Sequence, residues 1–184
     1  MYHIVDDQRA HKSARKLVEG LEACLARKKY EEISISELCE VAGVGRATFY
    51  RLFDNMTDVL YYQCSEVIHL VADAVERDGI ISLRQAMLDF INEWMKRRKL
   101  LETLQITNQL ELLHRAHMEN IASFRKNIET VGHMDEVQEA YVVGLLTATL
   151  PALIRVWALR GERETAEELY LCMKSSASMI GNLL

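Results

Sequence analysis

The stretch ISISELCEVAGVGRATFYRLFDNMTDVL, residues 33–60, decides how the rest of the chain is read. Ser34 precedes Glu37 at the spacing of a capping box that opens a helix. Leu38, Cys39, Val41 and Ala42 then supply an apolar face. Gly43-Val44-Gly45 breaks that helix, because glycine takes the positive φ of a sharp turn at little cost. A second short helix follows over 46–52, small at Ala47 and aromatic at Phe49 and Tyr50, with Phe53 just beyond. Asn55 caps the next one, and Asp58 is favourable in its first turn. Two short helices across a glycine turn make a helix-turn-helix, whose second helix enters the DNA major groove.

Working outward, residues 7–29 read as a first helix. Ala14, Leu17, Val18, Leu21, Cys24 and Leu25 recur at helical spacing, and Arg27, Lys28 and Lys29 close it. A fourth helix runs over 56–77 and stops at Asp78-Gly79. Ser82 caps a fifth, which ends in the basic run Lys96-Arg97-Arg98-Lys99. That run reads either as a solvated helix corner or as a nucleic-acid patch. Residues 100–113 and 116–131 give two more helices, the latter closed by Gly132. Residues 135–160 form a long helix that Pro151 should kink, and Gly161 stops it. Residues 165–184 form the last. The expected fold is therefore all-α, with about nine helices and no internal repeat. Residues 1–54 form a DNA-binding head and residues 55–184 a body.

Bulk properties agree with an ordinary globular chain: 184 residues, 49% hydrophobic and 27% charged. The run from Tyr141 to Ile154 is interrupted by Gly144, two threonines and Pro151, so no membrane span is expected from it. The first residues lack the apolar core of a signal peptide, and a cytoplasmic location is expected. Cys24, Cys39, Cys64 and Cys172 form no CxxC pair and read as buried thiols or, alternatively, as redox sensors. The net charge of −5 is awkward for a DNA binder, and residues 1–60 carry nine cations against ten carboxylates. Charge must therefore be sorted by face, with Arg9, Lys12, Arg15 and Lys16 forming one local basic cluster. Modest non-specific DNA affinity follows.

Ser36, Leu38, Ala42, Gly43, Val44, Thr48, Phe49, Tyr50, Phe53 and Leu60 together resemble the DNA-binding head of the TetR family of bacterial transcriptional regulators. The run I-S-x-L-x-x-x-A-G-V-x-x-x-T-F-Y-x-x-F is far more specific than a bare helix-turn-helix. The resemblance implies a first helix that braces the head and a fourth that links it to the body and moves on ligand binding. It implies a pocket among helices four to eight for a small, mostly apolar effector. It also implies a C-terminal helix pair that joins two copies into a homodimer on a pseudo-palindromic double-stranded operator. A weaker match over Gly144–Leu169 supports the last point.

Candidate DNA-binding residues are Ser36, Arg46, Ala47, Thr48 and Tyr50. Arg46 can bridge guanine O6 and N7, Thr48 can touch a base methyl or a phosphate, and Tyr50 can bond a phosphate oxygen. Ser36 and Ala47 enter through the resemblance. The family usually has histidine at Leu52 and lysine at Met56, both phosphate anchors, so two contacts look absent here. Candidate effector-binding residues are Tyr62, Met87, Phe90, Trp94, Met118 and Tyr141, each of which reads equally as core. Trp94 and Tyr141 stand out, because a large ring walls a cavity and also offers a donor. His114, His117 and Glu111 share one helix face, but without further ligands they make a poor metal site. No catalytic arrangement and no cofactor are expected.

Overall fold

Ser34 opens α2 (Ile35–Ala42) as its spacing predicts, its side chain accepting from the Glu37 N–H at 3.1 Å. The Glu37 carboxylate does not complete the box. It pairs instead with Lys28 Nζ at 2.7 Å, across from the preceding segment. At the other end the Val44 N–H reaches the Cys39 carbonyl and the Gly43 N–H reaches that of Glu40, with Gly43 at φ +61°. This is a Schellman close, and the left-handed residue in it favours glycine. The computed structural model describes residues 2–4, 7–78, 81–124, 128–129 and 135–182. The helix ends expected at Gly79 and Gly132 lie outside them.

The chain divides into two compact units, Met1–Cys64 and Ser65–Leu184. In the first, α1 (Gln8–Leu25) packs on α2, and α3 (Arg46–Leu52) packs on both. The α1 helix stops four residues earlier than its basic tail suggests, because η1 (Tyr30–Glu32) intervenes; Lys28 there serves Glu37 rather than a helix dipole. Ala14, Leu17, Leu21, Leu38, Phe49, Leu52 and Phe53 are buried together with Val59 and Leu60 of α4 (Met56–Asp78). The Phe53 ring lies 5.8 Å from Phe49 and 5.9 Å from Tyr62. The opening turns of α4 thus belong to the head's core. This is why the contact boundary falls after residue 64, whereas the motif suggested 54. Val41, expected on the apolar face, is exposed.

One glycine carries a message that its place inside a helix hides. A Cβ on Gly20 would stand 2.8 Å from the Cβ of Ala42 and 3.1 Å from its backbone nitrogen. The α1 backbone therefore touches the last turn of α2 directly.

The second unit holds the rest of α4 with α5 (Leu83–Met95), α6 (Arg98–Ile106), α7 (Glu111–Phe124), α8 (Glu136–Leu159) and α9 (Ala166–Gly181). Two short strands, β1 (Ile81–Ser82) and β2 (Ile128–Glu129), pair in parallel, a small departure from an otherwise all-helical fold. Met87, Phe90, Ile91, Trp94, Leu101, Leu104, Leu113, Ile154 and Trp157 fill the core. The break between α6 and α7 falls at 107–110, earlier than expected. Asn108 takes φ 54°, and the Gln109 N–H closes on the Leu104 carbonyl at 2.7 Å. Asparagine tolerates this left-handed position better than most residues, but the leucine spacing ran on through it. Three cations of the basic run share two carboxylates: Lys96 and Arg97 pair with Glu93, and Arg98 pairs with Glu162 at 3.0 Å beneath the Trp157 ring. Pro151 sits inside α8 and removes the donor that the Thr147 carbonyl would otherwise accept.

Two histidines give the body opposite pH responses. His69 Nε2 lies 2.9 Å from Asn120 Oδ1 and its Nδ1 3.7 Å from Glu66 Oε1; the Glu66 carboxylate, then Asn120, hold its pKa above the ordinary value of 6.5 against burial. Its contribution is complete below that ordinary value and is lost as pH rises through the raised one. His117 is buried edge-on to Phe90, and burial, then His114, push its pKa down to about 4. The unfolded chain therefore binds more protons between pH 6.5 and about 4, and stability falls as pH drops through that window. Thermal unfolding against pH should rise to a maximum and then decline. His117→Phe should flatten the acid limb and His69→Gln the alkaline one; unchanged limbs in both variants would refute the assignment.

Candidate nucleic-acid interface

The α3 helix has only seven residues, too few to persist alone. The head holds it from three sides. Phe49 and Leu52 are buried beneath it, the Gly43 turn sets its entry, and Phe53 leaves it in extended conformation. The face turned away from the core carries Arg46, Ala47 and Tyr50, all exposed, with Thr48 half-buried at its edge. The Tyr50 ring stands edge-on to Phe49 with centroids 5.4 Å apart, so a half-exposed phenol is braced by a buried ring. Ser36 is exposed in the first turn of α2. Arg46 also lies close enough to Cys39 to oppose the upward pKa shift that burial gives that thiol. Arg9, Lys12, Arg15 and Lys16 are exposed on α1.

A guanidinium, a methyl, a hydroxyl and a phenol on one short helix suit base edges and phosphates. Residues 17–61 match the model of the bacterial regulatory proteins of the tetR family. That match lies wholly within the head. Among solved structures, the chain resembles Lin0861 from Listeria innocua at 19% identity, over 97% of this chain and 96% of that one, with a TM-score of 0.78. It resembles the dihydroxyacetone kinase operon activator DhaS at 18% identity, over 93% of each chain, with a TM-score of 0.58. It resembles a TetR transcriptional regulator from Streptococcus agalactiae 2603V at 18% identity, over 91% of this chain and 96% of that one, with a TM-score of 0.55. Such likenesses show that the fold of TetR-type regulators extends beyond the head. No curated protein matches the sequence.

The two positions where this chain departs from the TetR-family pattern differ from each other. Leu52 is 2% exposed and belongs to the core beneath α3. Met56 is half-exposed at the start of α4, next to a local cap in which Asn55 accepts from the Asp58 N–H and Asp58 accepts from the Asp54 and Asn55 N–H groups. The expected Asn55 cap is thus present, and Asp58 takes part in it. Met56→Lys should add one phosphate contact per protomer, raising affinity for all duplexes alike. It should steepen the log–log salt dependence by about 0.9 for each new contact. Equal slopes for the variant and the parent would mean that residue 56 faces away from the backbone.

The candidate effector residues are not brought together as a set. Met87, Phe90 and Trp94 are buried along α5, with the Phe90 and Trp94 rings 6.4 Å apart. His117, singled out in the sequence only as a poor metal ligand, joins them at 5.0 Å from Phe90. Tyr62 lies in the head unit instead, against Phe53 and Tyr2 and 3.4 Å from His11 Nδ1. Met118 and Tyr141 are exposed, Tyr141 at 72%. Helical spacing alone could not reveal this, since both sit on helices with apolar residues on several sides. His114 and Glu111 are exposed while His117 faces inward, so the three do not converge. Among the described residues, no group of three such side chains could hold a metal ion. Cys24, Cys39 and Cys64 are buried as expected; Cys172 is exposed on α9.

Proposed function

We propose that this chain is a homodimeric transcriptional repressor that leaves its pseudo-palindromic operator when a small, mostly apolar effector binds the body. The observation that carries DNA binding is the exposed set Arg46, Ala47 and Tyr50, with Thr48 half-buried at its edge, on a helix fixed by the Gly43 turn. Arg46→Ala should weaken binding to the preferred duplex by about 1–3 kcal/mol and relax preference at one base pair. Tyr50→Phe should weaken all duplexes alike, because phosphate contacts carry no base information. Fluorescence anisotropy with preferred and scrambled duplexes separates the two. An Arg46→Ala variant with unchanged base preference would remove that side chain from base reading.

Dimer formation rests on α8 and α9. Tyr141, Leu145, Ala148, Ala152, Val156 and Leu159 repeat along one exposed face of α8, and Leu171, Met179 and Ile180 are exposed on α9. Between the two helices runs a groove of about 470 Å³, lined by Ala152, Leu153, Val156, Leu169 and Met173, with Arg160 and Glu164 also in its wall. The α8 helix is long and apolar enough to cross a membrane by length and composition. Its other faces pack on α5, α7 and α9, which is the behaviour of a core helix with one docking face. A two-fold operator requires a two-fold protein, and a cytoplasmic location follows from the same function.

Effector binding rests on Met87, Phe90, Trp94 and His117. Trp94 is fully buried, and its indole N–H meets no hydrogen-bond acceptor among the described residues. A buried donor left in that state costs about 1–3 kcal/mol, which a ligand's acceptor recovers. Effector binding then shifts the dimer toward a state whose recognition helices no longer match duplex spacing. A thermal-shift screen with lipophilic compounds, followed by Trp94 fluorescence in a Trp157→Phe variant, tests this. Ligands that stabilise the protein without changing that fluorescence would place the site elsewhere.

A second reading is favoured by the DhaS likeness, since that structure is described as an operon activator. The same fold then activates transcription rather than blocking it, or is controlled by a protein partner, without a small-molecule pocket. A reporter placed behind the selected duplex distinguishes the two by the sign of its response.

A further inference from the structure

Tyr2 and His3, ahead of α1, are tied to the far end of the recognition helix. Tyr2 forms an antiparallel bridge with Phe53, and the His3 N–H donates to the Leu52 carbonyl at 2.8 Å. His3 Nε2 lies 3.0 Å from Asp54 Oδ1. The Tyr2 ring meets those of Tyr61 and Tyr62 at 5.5 and 5.4 Å, and Tyr62 reaches back to His11 on α1. A helix leaves its last carbonyls without internal partners. In a seven-residue helix those carbonyls are more than half of the total, so what satisfies them matters to where the helix sits. The Gly43 turn fixes the entry of α3, and residues 2–4 fix its exit.

We infer that residues 2–4 are a strap that positions the recognition helix for base reading, with Tyr2 and His3 acting through Leu52–Asp54 and not by touching DNA. The inference rests on the DNA-binding reading above. Two features separate the strap from a DNA-contacting arm. The main-chain bond to Leu52 serves a carbonyl that a phosphate, itself only an acceptor, cannot serve. The imidazole is engaged with a carboxylate, whose negative charge opposes a phosphate at the same place.

The test compares the full chain with three variants: one lacking residues 2–4, His3→Ala, and His3→Gln, whose amide still donates to Asp54. Amide exchange over residues 49–53 is measured without DNA. Affinity is measured for a duplex that the parent protein selects from a random pool and for a random-sequence duplex of equal length. Loss of the strap should speed exchange about tenfold and weaken the selected duplex about tenfold, with little change for the random duplex or for the salt slope. His3→Ala should give about a threefold effect, and His3→Gln should restore parent behaviour. Enrichment of a duplex by the parent with unchanged exchange in the variants overturns the strap alone. Equal weakening on both duplexes with a shallower salt slope also overturns it, because residues 2–4 would then be contacting phosphates. A parent protein that enriches no duplex overturns the DNA-binding reading and the strap with it.

Discussion

Val156→Glu is expected to convert the dimer to monomers at micromolar concentration and to remove most operator affinity. Val156 is half-exposed on α8, in the wall of the groove beside α9. In a two-fold interface each protomer would bury one added carboxylate against apolar neighbours. Such a charge, without a partner, costs several kcal/mol. About 4 kcal/mol against association raises the dimer dissociation constant roughly a thousandfold. The head is untouched, so the monomer should keep its helicity and its weak, salt-sensitive DNA binding. Light scattering and sedimentation of parent and variant decide this. A parent that is already a monomer of 21.2 kDa would refute the dimer, and a variant that remains a dimer would move the interface elsewhere.

The second large effect is expected at Gly20. Gly20→Val should destabilise the head by about 3 kcal/mol, and Gly20→Ala by about 2. On helix propensity alone, alanine would gain about 1 kcal/mol over glycine, so propensity and packing predict opposite signs. The geometry decides between them. An added Cβ at 2.8 Å from Ala42 Cβ meets a side chain that cannot rotate away, and the backbone nitrogen at 3.1 Å stands behind it. The α2 helix must shift, and α3 is joined to it through the Gly43 turn. DNA affinity should therefore fall in step with stability. Removing the opposing methyl in Gly20→Ala/Ala42→Gly should recover part of the loss. A Gly20→Ala variant more stable than the parent in chemical denaturation would show that α1 and α2 yield at no cost.

What the sequence revealed about this fold followed from how local the cause was. Ser34, Gly43, Asn55 and Ser82 cap or end helices through neighbours three or four residues away, and all four act as the spacing predicts. The exposed set on α3 was legible for the same reason, since Phe49 and Leu52 fix which side faces inward. Gly20 was not, because its role depends on a residue 22 positions on; an isolated glycine inside an otherwise good helix was the available signal. Asn108 was missed because leucine periodicity continued across the turn. Within the candidate effector set, Met118 and Tyr141 are exposed while Met87, Phe90 and Trp94 are buried, and spacing did not separate them. An aromatic or methionine side chain looks the same in sequence whether it fills a core, pads the head or covers a docking face. His117 was overlooked as a core residue because its type suggested a ligand, while the Phe90 ring it packs against lies on another helix.

The central claim is that two copies of this chain read a symmetric duplex through Arg46 and its neighbours. Selection from a pool of random duplexes, followed by sequencing, tests it most directly. The enriched sequences should contain an inverted repeat whose half-site centres are separated by about 34–36 Å, one duplex turn, or a multiple of it. The same selection with Arg46→Ala should lose preference at one position in each half. Enrichment of an unsymmetric motif, or of none, would contradict the account.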